Sequence, residues 1–457
     1  MSTHRDSRTA VVLYTRDLRV HDHPGLVEAA RSSEYVIPVF VLDDDVLDRA
    51  GPNRIAFLVE ALDDLRESLR QRGADLVIRR GDPVAEVLRL CRDVGAEMVF
   101  VGEDVSPYAR RREQRLAAAC QSVGIELRVE DGMTVVQPAA VAPDGGDHYR
   151  VFTPYCRRWR EEPRRRPLSV PTRLRLPSGV AASELTQVHE LNGRSASPGV
   201  ARGGESEGRR RLTRWLADGL PSYAERRDRL DVDGTSRLSA YLHFGCLSPL
   251  EVVTRAQEHP DSDEFVRQLC WRDFFHQLLA GNPETTHRDL RPGTDDRRPD
   301  HDALERWRGG LTGYPIVDAG MRQLAFEGWL PNRARLIVGS FLTRNLGVDW
   351  RSGAAVFFDL LVDGDVASNT GNWQWVAGTG ANTRRNRVLA PLAQARRFDP
   401  DGDYVRRWVP ELRALPGPIV HEPWNAADSL IAPEYPAPIV EPVSPPQSRR
   451  RAHAGRA

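Results

Sequence analysis

"YVIPVFVL" (35–42), "RIAFLVEALDDLRESLRQRG" (54–73) and "DLVIRR" (75–80) decide the fold of the first third of this 457-residue chain. The two outer stretches are short β-branched runs bounded by Asp or Gly, and read as strands. The middle one sets Ile55, Leu58, Val59, Leu62, Leu65 and Leu69 at the 3.6-residue period of a helix, with Gly73 as its stop. Strand, helix, strand is a parallel crossover unit. "AVVLYT" (10–15), "EMVFVG" (97–102) and "IELRVED" (125–131) continue the alternation. They predict an α/β domain over 1–132, built on a doubly wound parallel sheet. No GxGxxG follows the first strand, so dinucleotide binding by that fingerprint is not expected.

Residues 133–204 are rich in Pro, Gly, Ser and Arg and show no sustained period, which predicts a connector draped over the surface. From 205 to 427 the pattern is helical, in "GESEGRRRLTRWLADGL" (204–220), "DEFVRQLCWRDFFHQLLAG" (263–281), "PIVDAGMRQLAFEGWL" (315–330), "RARLIVGSFLTRNLG" (333–347) and "AAVFFDLLVD" (354–363). A larger all-helical second domain follows. Residues 428–457 combine spaced prolines with "SRRRAHAGRA" and read as a disordered tail.

Every one of the 64 basic residues is arginine. A Walker-type phosphate loop and a Schiff-base lysine are therefore excluded. Codon bias accounts for such an absence, but its consequence is chemical: each basic group is permanently charged and planar, suited to phosphates and to stacking. Five cysteines without a CxxC spacing suggest neither a disulfide scaffold nor a metal site, and a reducing cytoplasm fits them. No apolar run is long enough for a membrane span. The zero net charge divides unevenly, with 20 Arg against 26 acidic residues up to 150 and 44 against 38 beyond. All ten tryptophans lie from Trp159 onward, so the second half is where a polyanion with stacking bases would bind.

Four stretches of the helical part carry more than composition. "GTSRLSAYLHFGCLSP" (234–249) puts Thr235, Ser236 and Ser239 ahead of a helix, as either a phosphate cradle or an ordinary N-cap. "LCWRDFFHQ" (269–277) sets Trp271 on an amphipathic helix. "LPNRARLIVGSFLTRNLGVDW" (330–350) opens with Asn332, Arg333 and Arg335 and ends in Trp350. "LVDGDVASNTGNWQWVAGTG" (361–380) strings together Asp363, Asp365, Asn369, Trp373 and Trp375.

Together with "TRDLRVHDHPGL" (15–26), "YRVFTPYCRRW" (149–159), "LTGYPIVDAGMRQL" (311–324) and "VPELRALPGPIVHEPW" (409–424), these stretches resemble the photolyase/cryptochrome family, and within it the bacterial branch acting on cyclobutane pyrimidine dimers. The resemblance covers the chain up to about residue 425 and holds in order and spacing. It implies an FAD enzyme, expected as a monomer, that repairs UV-damaged DNA with light. Tyr223 and the loop Thr235, Ser236, Arg237, Leu238 and Ser239 would hold the FAD phosphates and ribityl chain. Arg335, paired with Asp363, would line the isoalloxazine with Gly364 and Asp365, and Asn369 would face its N5. An amide there can donate or accept, so it suits both protonation states of a reduced flavin. Trp271 and Trp375 would wall the pocket for the flipped dimer. Gln268, Asn332, Arg333, Arg227 and Gln394 would contact the lesion or its backbone, with Arg384, Arg385 and Arg397 as further phosphate clamps. Trp373 and Trp350 would be the inner and middle members of an electron-transfer chain.

Three positions depart from that pattern. Gln268 stands where dimer photolyases carry glutamate, and (6-4) photolyases also have glutamine there. The two histidines of that class are replaced here by Asn332 and Leu336, so cyclobutane dimers remain the expected substrate. The outer electron-transfer position falls near Arg297, not on a tryptophan. Finally, the acidic residue and lysine of a folate antenna site are missing, with Ser106 at the first position. "GEDVSPYARRR" (102–112) is closer to deazaflavin-type members, so 8-hydroxy-5-deazaflavin is the favoured antenna, with Arg54 and Asp104 as its contacts. The rival from another class is a cryptochrome-like photosensor that repairs nothing.

Overall fold

A computed structural model describes residues 8–180, 194–292, 300–381, 388–426 and 434–441. Its N-terminal part is a five-stranded sheet of β1 (Thr9–Tyr14), β2 (Tyr35–Leu42), β3 (Val77–Arg80), β4 (Met98–Gly102) and β5 (Glu126–Glu130). All pairings are parallel and the spatial order is β3-β2-β1-β4-β5. The five expected strands are thus present, with their order reversing between β1 and β4. Crossovers are made by α1 (Pro24–Ser32), α2 (Pro52–Arg70), α3 (Pro83–Val94) and α4 (Pro107–Ser122). Strand β1 is buried on both faces, as an interior parallel strand must be. Its Val11 and Leu13 meet a core with Val84, Val87 and Leu90 of α3. Ala10, Val12 and Tyr14 face the opposite core, which is continuous with the helical half through Phe57, Tyr241 and Phe244.

The helical half uses α6 (Glu205–Arg214), α7 (Asp263–Gly281), α8 (His301–Arg308), α9 (Pro315–Glu327), α10 (Asn332–Ser340), α11 (Trp350–Leu360), α12 (Val366–Ala377) and α13 (Pro391–Phe398), with α5 (Phe152–Glu161) preceding them. Helices α6 and α10 each run on into one wide π-type turn, at Trp215–Gly219 and Phe341–Asn345.

Two readings of the sequence need correction. The surface connector contains α5, whose Tyr155 and Trp159 are fully buried. The Trp159 Nε1–H donates to Asp273 on α7 at 2.9 Å, and the same carboxylate accepts from the N–H groups of Val135 and Val136. One buried acid therefore ties the connector to the helical core, and burial lifts its pKa to about 6. Within the supposed disordered tail, 434–441 is packed. Tyr435 is buried and donates to Asp318, while Ile439 N–H donates to Thr312 O at 2.8 Å. A tyrosine ring and a backbone partner outweigh the proline-rich composition there.

The segment "TRDLRVHDHPGL" bolts the two halves together. Leu18 N–H donates to Phe244 O, and the N–H groups of Val20 and His21 donate to Glu205 at 2.7 and 3.0 Å. Arg19 is fully buried and donates to the carbonyls of His21, Asp22, Gly132 and Gly245. Gly245 permits the approach: it has φ +66°, and a Cβ there would lie 2.0 Å from Arg16 O.

Candidate active site

Helices α10, α11 and α12 enclose a cleft lined by Asn332, Arg335, Leu336, Asp363, Asn369 and Trp373 among others. Five of these six were singled out from sequence as site residues, and Leu336 as a discriminating position. The Asp363 carboxylate accepts from Arg335 Nη2 at 2.7 Å. Its second oxygen, Oδ1, is buried without a hydrogen-bond partner among the described residues. The Asn369 amide nitrogen donates to Ala354 O at 3.1 Å, which orients the amide plane toward the cleft. The period of α12 separates its two tryptophans: Trp373 is buried between Phe357 (5.0 Å) and Trp307 (6.1 Å), whereas Trp375, two positions on, is half-buried.

The loop before residue 239 has a strained backbone. Arg237 holds φ +53°, unusual for a residue with a Cβ. Its guanidinium is held by Asp233 and Glu327 and lies 4.2 Å above Trp329. Trp329 Nε1–H donates to Ser239 Oγ at 3.1 Å, Ser236 Oγ accepts from Leu238 N–H, and Thr235 Oγ1 is buried with no partner among the described residues. Unmatched hydroxyl and carboxylate oxygens at Thr235 and Asp363 are what a polar cofactor would satisfy. Tyr223 is buried nearby and its hydroxyl, raised to about 12 by burial, is close to Arg227.

Behind the cleft lies a charged cluster. Asp365 caps α12 by accepting from Ser368 N–H, and its other oxygen accepts from Arg16 Nη2 at 2.6 Å. Arg16 also reaches Asp104 and the carbonyl and ring of His243. Burial alone would raise Asp365, but the neighbouring cations Arg16 and Arg272 hold it well below the usual carboxylate range. His276 donates from Nδ1 to Arg272 O, and its Nε2 faces Asp365 at 3.6 Å. Burial, with Arg272 and Arg16, pushes it down to about 4. Asp365 therefore serves as helix cap and ion-pair partner of the N-terminal domain, where the sequence suggested a wall of the cleft.

The expected antenna contacts are otherwise engaged. The Arg54 guanidinium donates to the carbonyls of Phe358 and Leu361 and stacks 4.2 Å over Phe358. It lies against Gly364, where a Cβ would meet its Nη1 at 2.7 Å. Burial lowers its pKa to about 10. Asp104 accepts from Ser106 N–H and pairs with Arg16, and Ser106 caps α4.

On α7, Trp271 stacks on Phe152 at 3.6 Å and 5°. Gln268 stands one turn earlier and its amide points to Glu264 O. Arg227 lies 2.7 Å from Glu264, and Arg333 makes a two-point contact with Asp228 while covering Phe398 of α13, the helix that carries Gln394. Arg397 also lies over Phe398. Trp350 is buried and donates to Asp289 at 2.8 Å. Arg297, Arg384 and Arg385 lie outside the described residues. Sequence reasoning missed Arg16, His276 and Trp307. Arg16 and His276 stand inside quoted motifs, whereas Trp307 looks like an ordinary helix residue.

Residues 10–173 match the model described as DNA photolyase, and residues 265–454 match the FAD binding domain of DNA photolyase. A deoxyribodipyrimidine photo-lyase of Streptomyces griseus is 50% identical over 440 residues, covering 94% of this chain and 96% of its own. The chain belongs to the DNA photolyase and cryptochrome family. A cryptochrome DASH of Natronomonas pharaonis is 37% identical over 95% of this chain and 98% of its own. Among solved structures, a class III photolyase of Agrobacterium tumefaciens superimposes with TM-score 0.90 at 32% identity, covering 95% of each chain. An archaeal photolyase of Sulfolobus tokodaii, solved with two FAD molecules, gives TM-score 0.84 at 31% identity over 95% of this chain and 96% of its own. The photolyase and cryptochrome fold thus extends over both halves, and the cleft lies in the FAD-binding one. Among the described residues no helix is long and apolar enough to cross a membrane, and no acidic, His or Cys cluster could hold a metal.

Proposed function

We propose that this family member is a light-driven DNA repair enzyme that opens cyclobutane pyrimidine dimers. The observation carrying the reading is the convergence of Asn332, Arg335, Asp363, Asn369 and Trp373 on one cleft. FAD, when bound, supplies the electron that light makes available. The protein's own residues bind and orient. Arg335 and Asp363 fix each other across the cleft, Asn369 presents an amide in a set plane, and the hydroxyls of Thr235 and Ser236 offer partners to a phosphate or ribityl group. Trp271 is preordered, stacked on Phe152 and packed against Phe274 and Phe275, so stacking a base on it would cost little side-chain entropy. Such stacking returns about 1–3 kcal/mol per base, against the few kcal/mol of flipping, which is lower at a damaged step.

Asn332 and Leu336 both line the cleft, and neither can exchange a proton as histidine does. This favours cyclobutane dimers over (6-4) lesions despite Gln268. A repair-inactive photosensor is the second reading, supported by the resemblance to cryptochromes. Reduced protein is illuminated with DNA carrying one defined lesion, and loss of each lesion is measured. Cyclobutane dimers disappear if the proposal holds. Their persistence with FAD bound and reduced refutes it, and selective loss of (6-4) lesions reassigns the substrate. For a second chromophore we favour 8-hydroxy-5-deazaflavin over folate, since no lysine exists and Ser106 caps a helix. Absorption spectra of the chromophores released on denaturation decide between these and a second flavin.

A further inference from the structure

Two arginines that the DNA reading assigns to phosphate contacts already hold carboxylates. Arg227 lies 2.7 Å from Glu264, both side chains about one-third exposed. Arg333 makes its two-point contact with Asp228 at 3.3 and 3.0 Å, with Phe398 beneath the guanidinium at 4.3 Å. Both pairs neighbour residues expected to meet the lesion. Glu264 stands one turn before Gln268 on α7, and its carbonyl is the partner of the Gln268 amide. Arg333 follows Asn332, a cleft residue, at the start of α10. Tyr223 feels Arg227, Asp228 and Glu264 together, so the two pairs belong to one electrostatic neighbourhood.

A carboxylate and a phosphate compete for the same fork of guanidinium N–H groups. We propose that Glu264 and Asp228 are latches on the DNA-binding face: binding a DNA backbone exchanges each carboxylate for a phosphate, so the two acids set an upper limit on affinity. This rests on the reading of the chain as a DNA-binding repair enzyme. The latches act on backbone contacts, which damaged and undamaged duplexes share, so they lower both affinities and leave the ratio between them unchanged.

The test uses Glu264→Gln, Asp228→Asn and the double variant, which keep side-chain shape and remove the charge. Dissociation constants of the FAD-bound full-length proteins are measured by fluorescence anisotropy for matched duplexes with and without one cyclobutane dimer. Each single change tightens binding to both duplexes about two- to fivefold, the range for opening a partly exposed ion pair. The double variant approaches the product of the two. Unchanged or weaker binding in the variants overturns the proposal, since the acids would then be aligning the arginines for DNA. Wild-type protein that binds neither duplex refutes the DNA reading itself, an outcome distinct from both. Flavin content, read from absorbance, stays at the wild-type ratio in all three variants.

Discussion

Arg16 of the N-terminal domain donates to Asp365 of the helical domain at 2.6 Å, across 349 positions of sequence. Asp365 caps the helix that presents Asn369 and Trp373 to the cleft. The position of this wall of the cleft thus depends on a charge supplied by the other domain. Replacing Arg16 by Gln leaves Asp365 buried beside His276 without its cation, which costs about 3 kcal/mol by analogy with other broken buried pairs. Denaturant unfolding of the variant shows this loss, and its flavin-to-protein absorbance ratio falls. Arg165→Gln, which removes a connector arginine from Asp22, leaves that ratio at the wild-type value.

The same cluster makes stability sensitive to acid. His276 is held neutral, its pKa lowered from 6.5 to about 4 by burial and by Arg272 and Arg16. A depressed folded value gives stability that is present above the unfolded pKa and lost as pH falls through the folded one. The affected window is pH 6.5 to 4, and the loss attributable to His276 approaches about 3 kcal/mol at its acid end. Asp273, raised to about 6, acts in the opposite sense and is common to both proteins compared. His276→Asn keeps a donor for Arg272 O, so unfolding curves at pH 7 and 4.5 show a smaller acid loss in the variant than in wild type.

Asp273 accepts from Val135, Val136 and Trp159 and is fully buried. All three donors go to Oδ2, so in Asp273→Asn the amide nitrogen takes the place of Oδ1, facing Arg272 at 3.6 Å, and the charge that strengthens the three bonds is gone. A cost of about 2–3 kcal/mol follows. Proteolysis of the 133–150 connector, faster in the variant, and the denaturation midpoint both report it.

Trp373 touches Phe357 and Trp307, while Trp350 is fixed by a carboxylate at Asp289. Trp373→Phe abolishes light-driven reduction of oxidised flavin, and repair by chemically reduced protein persists. Trp350→Phe and Trp307→Phe, followed by the same bleaching of flavin absorbance, show which neighbour passes the electron on. Slower bleaching in the Trp350 variant alone supports the route expected from sequence.

Tyr435 tests the end of the fold. Its hydroxyl donates to buried Asp318, which otherwise accepts from Thr312 and Gly313. Tyr435→Phe lowers stability by about 1–2 kcal/mol, seen as a drop in the thermal midpoint; no change would detach 434–441 from the folded unit.

Local patterns determined a good deal of this protein. The five strands and helices such as α2 were legible because their apolar residues recur with the period of the element. Asn332, Arg335, Asp363 and Asn369 were legible because two short stretches, 330–350 and 361–380, carry them in the order and spacing of the family they resemble. The tertiary structure alone decided what lies between the domains. Nothing near Arg16 or Arg54 in the sequence says that their charges end at Asp365 and at the carbonyls of Phe358 and Leu361. A periodic pattern reports which side of an element is buried, but a buried ion pair depends on which distant group arrives opposite it. Only the packing of the sheet domain against α11 and α12 brings those groups within hydrogen-bond distance.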